Sequence, residues 1–141
     1  MIQPTTSSEP GLSWDEAAQL VNHVERVFGS GDVDQMIDGF TDDVEVRFAD
    51  RPEMHGREEV ATFLRARFAR QKNYRLKKRL RMVMNDMIGN MWEGEWDDAT
   101  TGKPMQGRGT EFWTLRGRKI AVWEATFNLW EQGATPPSPF M

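Results

Sequence analysis

The second half of the chain is written in long runs of β-branched and aromatic residues cut by turn signals. Four runs stand out, at residues 73–84, 87–96, 104–115 and 118–130. Asn85-Asp86 separates the first two, Asp97-Asp98 with Gly102 the next two, and Arg116-Gly117 the last two. Strands joined this tightly pair antiparallel, because a parallel return needs a crossover of about a dozen residues or more. The pattern predicts a four-stranded antiparallel meander from Asn73 to Glu131.

The first half carries helical spacing instead. Ser13 and Glu16 have the spacing of a capping box. Ala17, Leu20, Val21, Val24, Val27 and Phe28 then recur as one helix face, and Gly29 offers a stop. Asp32 can cap a shorter helix carrying Val33, Met36, Ile37 and Phe40. Residues 44–48 alternate as a strand, residues 50–56 form a loop with a possible edge strand near Met54, and a third helix runs from about Arg57 to about Gln71. Met1 to Leu12 reads as a flexible tail, residues 13–132 as one domain, and residues 133–141 as a Pro-rich tail. Helices gathered on one face of an antiparallel sheet define an α+β fold, and a sheet curled round them encloses a cavity.

Composition narrows the function classes. A length of 141 residues suits a single core. The formal net charge of −4 gives no basic excess for nucleic acid. No apolar run reaches the ~18 residues of a membrane span, and the N-terminal residues lack the pattern of a signal peptide. Without cysteine there is no disulfide or thiolate chemistry. These features lead to the expectation of a cytoplasmic protein with no nucleic-acid or membrane partner.

Residues 24–48 resemble the opening of the SnoaL-like, nuclear-transport-factor-like superfamily: a helix, a small-residue turn with Asp, a short helix, then Phe40-x-x-Asp43-Val44 entering a strand. Residues 56–68 resemble that superfamily's Gly-Arg-led helix. A closer resemblance, to a bacterial family of uncharacterised domains in the same superfamily, is carried by Phe63-Leu64, Tyr74-Arg75-Leu76, Lys78, Glu95-Trp96, Asp98, Gly109, Glu111, Trp113 and Asn128. The resemblance implies a curved sheet, a cone-shaped pocket and frequent homodimers. Its members include isomerases, cyclases, epoxide hydrolases, dehydratases and non-catalytic binding proteins. Its ketosteroid isomerases place a catalytic Asp near the end of the first strand, where this sequence has Phe48 with Asp50 nearby, so steroid-isomerase chemistry is not implied.

Side chains alternate across a strand, so each strand offers two sets. Two-residue turns at Asn85-Asp86 and at the Arg116–Arg118 corner would put Tyr74, Lys78, Glu93 and Glu95 on one face, and Glu111, Trp113, Glu124 and Asn128 likewise. Tyr74, Lys78, Glu95, Glu111, Trp113 and Asn128, all singled out by the resemblance, fall in this set, which is assigned to the concave face. The opposite set, with Trp92, Trp96, Trp123 and Phe127 among cationic side chains, is assigned to the outside. An exposed aromatic patch there predicts a homodimer joined through the outer face.

Glu111 is the first candidate for chemistry. A carboxylate inside an aromatic strand is costly to bury, and desolvation raises its pKa toward the range of a working acid or base. An internal ion pair with Lys78 or an arginine is the structural alternative. Lys78 could orient an anionic group, and Tyr74 and Asn128 could donate to a developing oxyanion. Trp113, Glu124, Glu95, His23 and Phe48 complete the expected substrate-binding set. His23 and His55 are separated with no ligand spacing, so no metal is expected, nor any cofactor. Gly107-Arg108-Gly109 is not a phosphate loop, since no helix follows it; its glycines relieve crowding where the sheet bends. Three functions stay open: an acid–base enzyme on a small, mostly apolar molecule, a binding module using the same pocket, and a structural dimer with a filled cone.

Overall fold

The computed structural model describes residues 11–134. Three helices precede or interrupt a six-stranded sheet of order β2-β1-β6-β5-β4-β3. The elements are α1 (Trp14–Ser30), α2 (Val33–Asp38), β1 (Phe40–Phe48), β2 (Met54–His55), α3 (Arg57–Arg70), β3 (Gln71–Met84), β4 (Met87–Asp98), β5 (Pro104–Arg116) and β6 (Lys119–Glu131). The expected α+β architecture holds, with the helices packed on one face of a curved sheet. Among the described residues, no helix is long and apolar enough to cross a membrane.

Local chemistry sets the helix boundaries. The Ser13 hydroxyl accepts from Glu16 N at 3.1 Å, and the Glu16 carboxylate accepts from Ser13 N at 3.2 Å, closing the capping box. The helix passes Gly29 and stops at Gly31, whose φ of 73° is the left-handed cap that glycine adopts freely. Asp32 caps α2 through Gln35 N. Leu12 departs from the expected free tail: its N–H donates to Asn85 O at 3.1 Å, and its side chain packs against the core. Residues 1–10 of that tail and most of the C-terminal one, residues 135–141, lie outside the described residues.

β3 to β6 form the expected meander, and β1 joins β6 in parallel, with all the intervening chain serving as the crossover. Among the register shifts of the sheet, two bulges decide which sides of β4 and β6 turn inward. In the β3–β4 ladder, Met82 opposes Gly89 while Leu80 opposes Asn90, leaving Arg81 as an extra residue. In the β5–β6 ladder, Leu115 opposes Ile120 while Thr114 opposes Val122, leaving Ala121 extra. Each extra residue reverses the parity of everything beyond it relative to the partner strand.

The turn-based face assignment is therefore half overturned. Tyr74, Lys78, Glu111 and Trp113 do face the helices. On β4 and β6 the concave residues are Trp92, Trp96, Trp123, Ala125 and Phe127. Glu93, Glu95, Glu124 and Asn128 point to the outer side. This inversion also removes the exposed tryptophan patch on which the dimer expectation stood. The outer face keeps exposed Phe112 and Met91 among threonines and charged residues.

Trp123 is the hub of the core. Phe28 and Phe48 meet it edge-on, at 5.5 Å and 4.5 Å between ring centroids, and Phe40 stacks on it at 5.6 Å. Glycines hollow out the sheet beside Trp92. A Cβ at Gly109 would collide with the Thr126 carbonyl oxygen, and one at Gly107 would lie 2.6 Å from a Leu129 methyl and 3.3 Å from the Trp92 ring. The expected relief of crowding at this pair is what the packing requires.

Candidate functional site

A cavity of about 510 Å³ opens between the helices and the concave side of the sheet. Its walls are mostly apolar and rich in aromatics: Phe28 from α1, Phe63 from α3, Phe48 from the end of β1, and Trp92, Trp96 and Phe127 from the sheet. That size is ordinary for a small-molecule site.

Two charges meet on its sheet side. Lys78 Nζ forms an ion pair with Glu111 Oε1, both side chains being at most 5% exposed. The other carboxylate oxygen of Glu111 accepts from Trp123 Nε1 at 2.9 Å. Lys78 Nζ lies 5.4 Å from the centroid of the Trp113 indole. Burial pulls the Lys78 ammonium below its ordinary pKa, opposed chiefly by the Glu111 charge. β3 is an edge strand, and α1 covers it: Glu25 Oε1 accepts from the backbone N–H of Lys78 at 2.6 Å, which fixes the strand where the lysine projects.

Tyr74 lines the same cavity, between Phe68 and Trp96. Its ring rests on Gly94, where an added Cβ would approach a ring carbon to 2.8 Å. Burial raises the phenol's pKa, so at neutral pH it stays a hydrogen-bond donor. Directly opposite Glu111 on β4, the Asn90 side chain is buried with both polar atoms unpartnered among the described residues, as is Trp113 Nε1.

Lys78, Tyr74, Glu111 and Phe48 thus line one cavity, and Trp113 packs beside them. Asn128, Glu124 and Glu95 do not reach it, because the Ala121 and Arg81 bulges turn them outward. His23 is exposed on α1, outside the lining. The sequence reading passed over Trp123, Glu25, Arg51 and Arg67. Simple alternation in residues 123–129, Trp-Glu-Ala-Thr-Phe-Asn-Leu, was the signal for Trp123, since it puts the apolar set inward.

A second ion pair also lines the cavity. Arg70 grips Asp98 through Nε and Nη2, with contacts of 2.7–3.0 Å, and Thr100 N adds 2.8 Å. Arg70 is the main reason the Asp98 carboxyl falls from 3.8 to about 2. A depressed carboxylate stabilises the fold fully above its ordinary pKa and loses that contribution as pH falls through the folded value. The stability gap between the native protein and Asp98→Asn should therefore be constant near neutrality and shrink between about pH 4 and pH 2. Denaturant midpoints at stepped pH measure it, and a gap unchanged at pH 2 would refute it.

The fold is the α+β cone fold of the SnoaL-like, nuclear-transport-factor-like proteins. The chain belongs to the family described as "Protein of unknown function (DUF1348)", which matches residues 10–126. Three solved structures share the fold. A candidate isomerase from Bacillus subtilis is 9% identical, with a TM-score of 0.73 over 82% of this chain and 88% of that one. The epoxide hydrolase/cyclase-like enzyme SalBIII of pyran ring formation in salinomycin is 13% identical, with a TM-score of 0.73 over 83% and 96%. A candidate polyketide cyclase from Xanthomonas campestris pv. campestris is 24% identical, with a TM-score of 0.67 over 79% and 90%. No curated protein matches the chain.

Proposed function

We propose that this chain is a cofactor-free enzyme that moves protons on a small, mostly apolar organic molecule, in the manner of an isomerase, cyclase, dehydratase or hydrolase. The observation that carries this reading is the Lys78–Glu111 pair, buried against an aromatic cavity large enough for a substrate. Glu111 is the base that takes a proton from carbon or hydroxyl. Lys78, its ammonium made more acidic by burial, donates toward an oxygen that gains charge, and the Tyr74 phenol can add a hydrogen bond to it. Trp123 N–H keeps the carboxylate aimed. The isomerase, cyclase and epoxide hydrolase/cyclase-like names among proteins of the same fold support the reaction class.

A binding module is the second reading. It is favoured by the fact that both Glu111 oxygens already have partners, as in a purely structural ion pair. Ring opening of 5-nitrobenzisoxazole separates the two, because that probe needs only a carboxylate base in an apolar site. The native protein should accelerate it over buffer and Glu111→Gln should not. A native rate equal to buffer, or a rate untouched by the substitution, would favour the binding module.

A further inference from the structure

The charges lining the cavity do not balance. Four cations (Arg51, Arg67, Arg70 and Lys78) face two carboxylates, Asp98 and Glu111. Lys78 is taken by Glu111 and Arg70 by Asp98. Arg51 and Arg67 remain, and neither makes an ion pair among the described residues, although the chain as a whole carries a net charge of −4.

Both are held in place by something other than a counter-ion. Arg67 donates through Nε to Gln71 Oε1 at 2.7 Å, which fixes the guanidinium plane. Its central carbon sits 5.0 Å from the Phe68 ring centroid and 5.5 Å from that of Tyr74. Among the described residues, none of its terminal nitrogens reaches a carboxylate. Arg51 lies 5.0 Å over Phe63, itself edge-on to Phe48, and its backbone N–H is anchored to Phe48 O at 2.8 Å. Two planar donors, pre-set on aromatic faces and lining an apolar cavity, suit a planar oxyanion, which a guanidinium binds in bidentate fashion.

We propose that the ligand of this cavity is an amphipathic anion, best a carboxylate on an apolar body, whose charged end is held by Arg51 and Arg67. Its apolar part would then lie along the aromatic walls toward Lys78 and Glu111. This rests on the cavity being the ligand site proposed above, but not on catalysis there.

The test compares two dyes with one aromatic body. 8-Anilinonaphthalene-1-sulfonate carries an oxyanion, and N-phenyl-1-naphthylamine does not. By fluorescence titration the sulfonate dye should bind at least about tenfold more tightly, a gap of about 1.4 kcal/mol. Added salt should weaken its binding. Arg51→Gln/Arg67→Gln should erase most of that preference while leaving the neutral dye's affinity in place. Arg51→Gln alone, at an exposed position, should erase part of it even if the double variant folds poorly. Arg79→Gln, on the outer face, should change nothing, and Glu111→Gln should keep the preference even where it removes catalysis. 1-Naphthylacetate should displace the bound sulfonate dye where its isosteric amide does not. Equal affinities for the two dyes, or a preference that survives the double variant, would overturn the anion assignment alone. If neither dye bound, the ligand-site reading would fall with it.

Discussion

Glu111→Gln should lower the rate of benzisoxazole ring opening by roughly two to four orders of magnitude, the range general acid–base catalysis supplies. Glutamine keeps the shape and can still accept from Trp123 Nε1, but it has no basic carboxylate. It also strips Lys78 of its main opposing charge, leaving burial to favour the neutral amine. Any residual rate should therefore climb with pH as Lys78 deprotonates. Stability gives an independent reading of the same pair. Lys78→Met leaves a buried carboxylate uncompensated and should cost about 3–5 kcal/mol, whereas Lys78→Met/Glu111→Leu should recover most of that loss. The double variant would then be folded and inactive. Chemical denaturation beside the ring-opening assay checks this, and a folded double variant that still turned over the probe would exclude the pair from the chemistry.

The second large effect should come from Trp123→Ala, at about 3–5 kcal/mol of unfolding free energy. Three phenylalanines from α1 and β1 meet that indole, so truncation leaves a void bordered by rigid rings that cannot close on it. Trp123→Phe should be milder in stability yet still release Glu111 Oε2, because it preserves most of the packing and removes the N–H. Melting curves of the two variants, read beside their ring-opening rates, separate the packing role from the aiming role. Equal stability losses would mean that the hydrogen bond, rather than the ring contacts, holds this part of the core.

Much of the fold was legible because its signals are local. Ser13 with Glu16, Asp32 and the Asn85-Asp86 turn each act within a few residues, and each falls where the sequence puts it. Glu111 and Lys78 were also legible, as charges set in strands that otherwise read as apolar or aromatic on that face. Their neighbours were not, because face assignment carried through a turn depends on every residue between the turn and the site. Arg81 lies in a basic run where one more cation changes no pattern, and Ala121 is small enough to fit either side. In β4, the alternation of Trp92, Gly94 and Trp96 with Glu93, Glu95 and Asp97 already puts the aromatics inward. Hydrophobic alternation measured within the strand was the better guide than register extrapolated from its end.

The bulges at Arg81 and Ala121 also make the interior of this protein sensitive to chain length. Deleting either residue would require the strand beyond it to slip, or would exchange its two faces, bringing Glu124, Thr126 and Asn128 inward in place of Trp123, Ala125 and Phe127 in the case of β6. A single codon gained or lost there would do what several simultaneous substitutions could not: trade an aromatic lining for a polar one. Relatives aligned column by column can thus agree in residue identity across β6 and still present opposite walls, if they differ by one residue at its start.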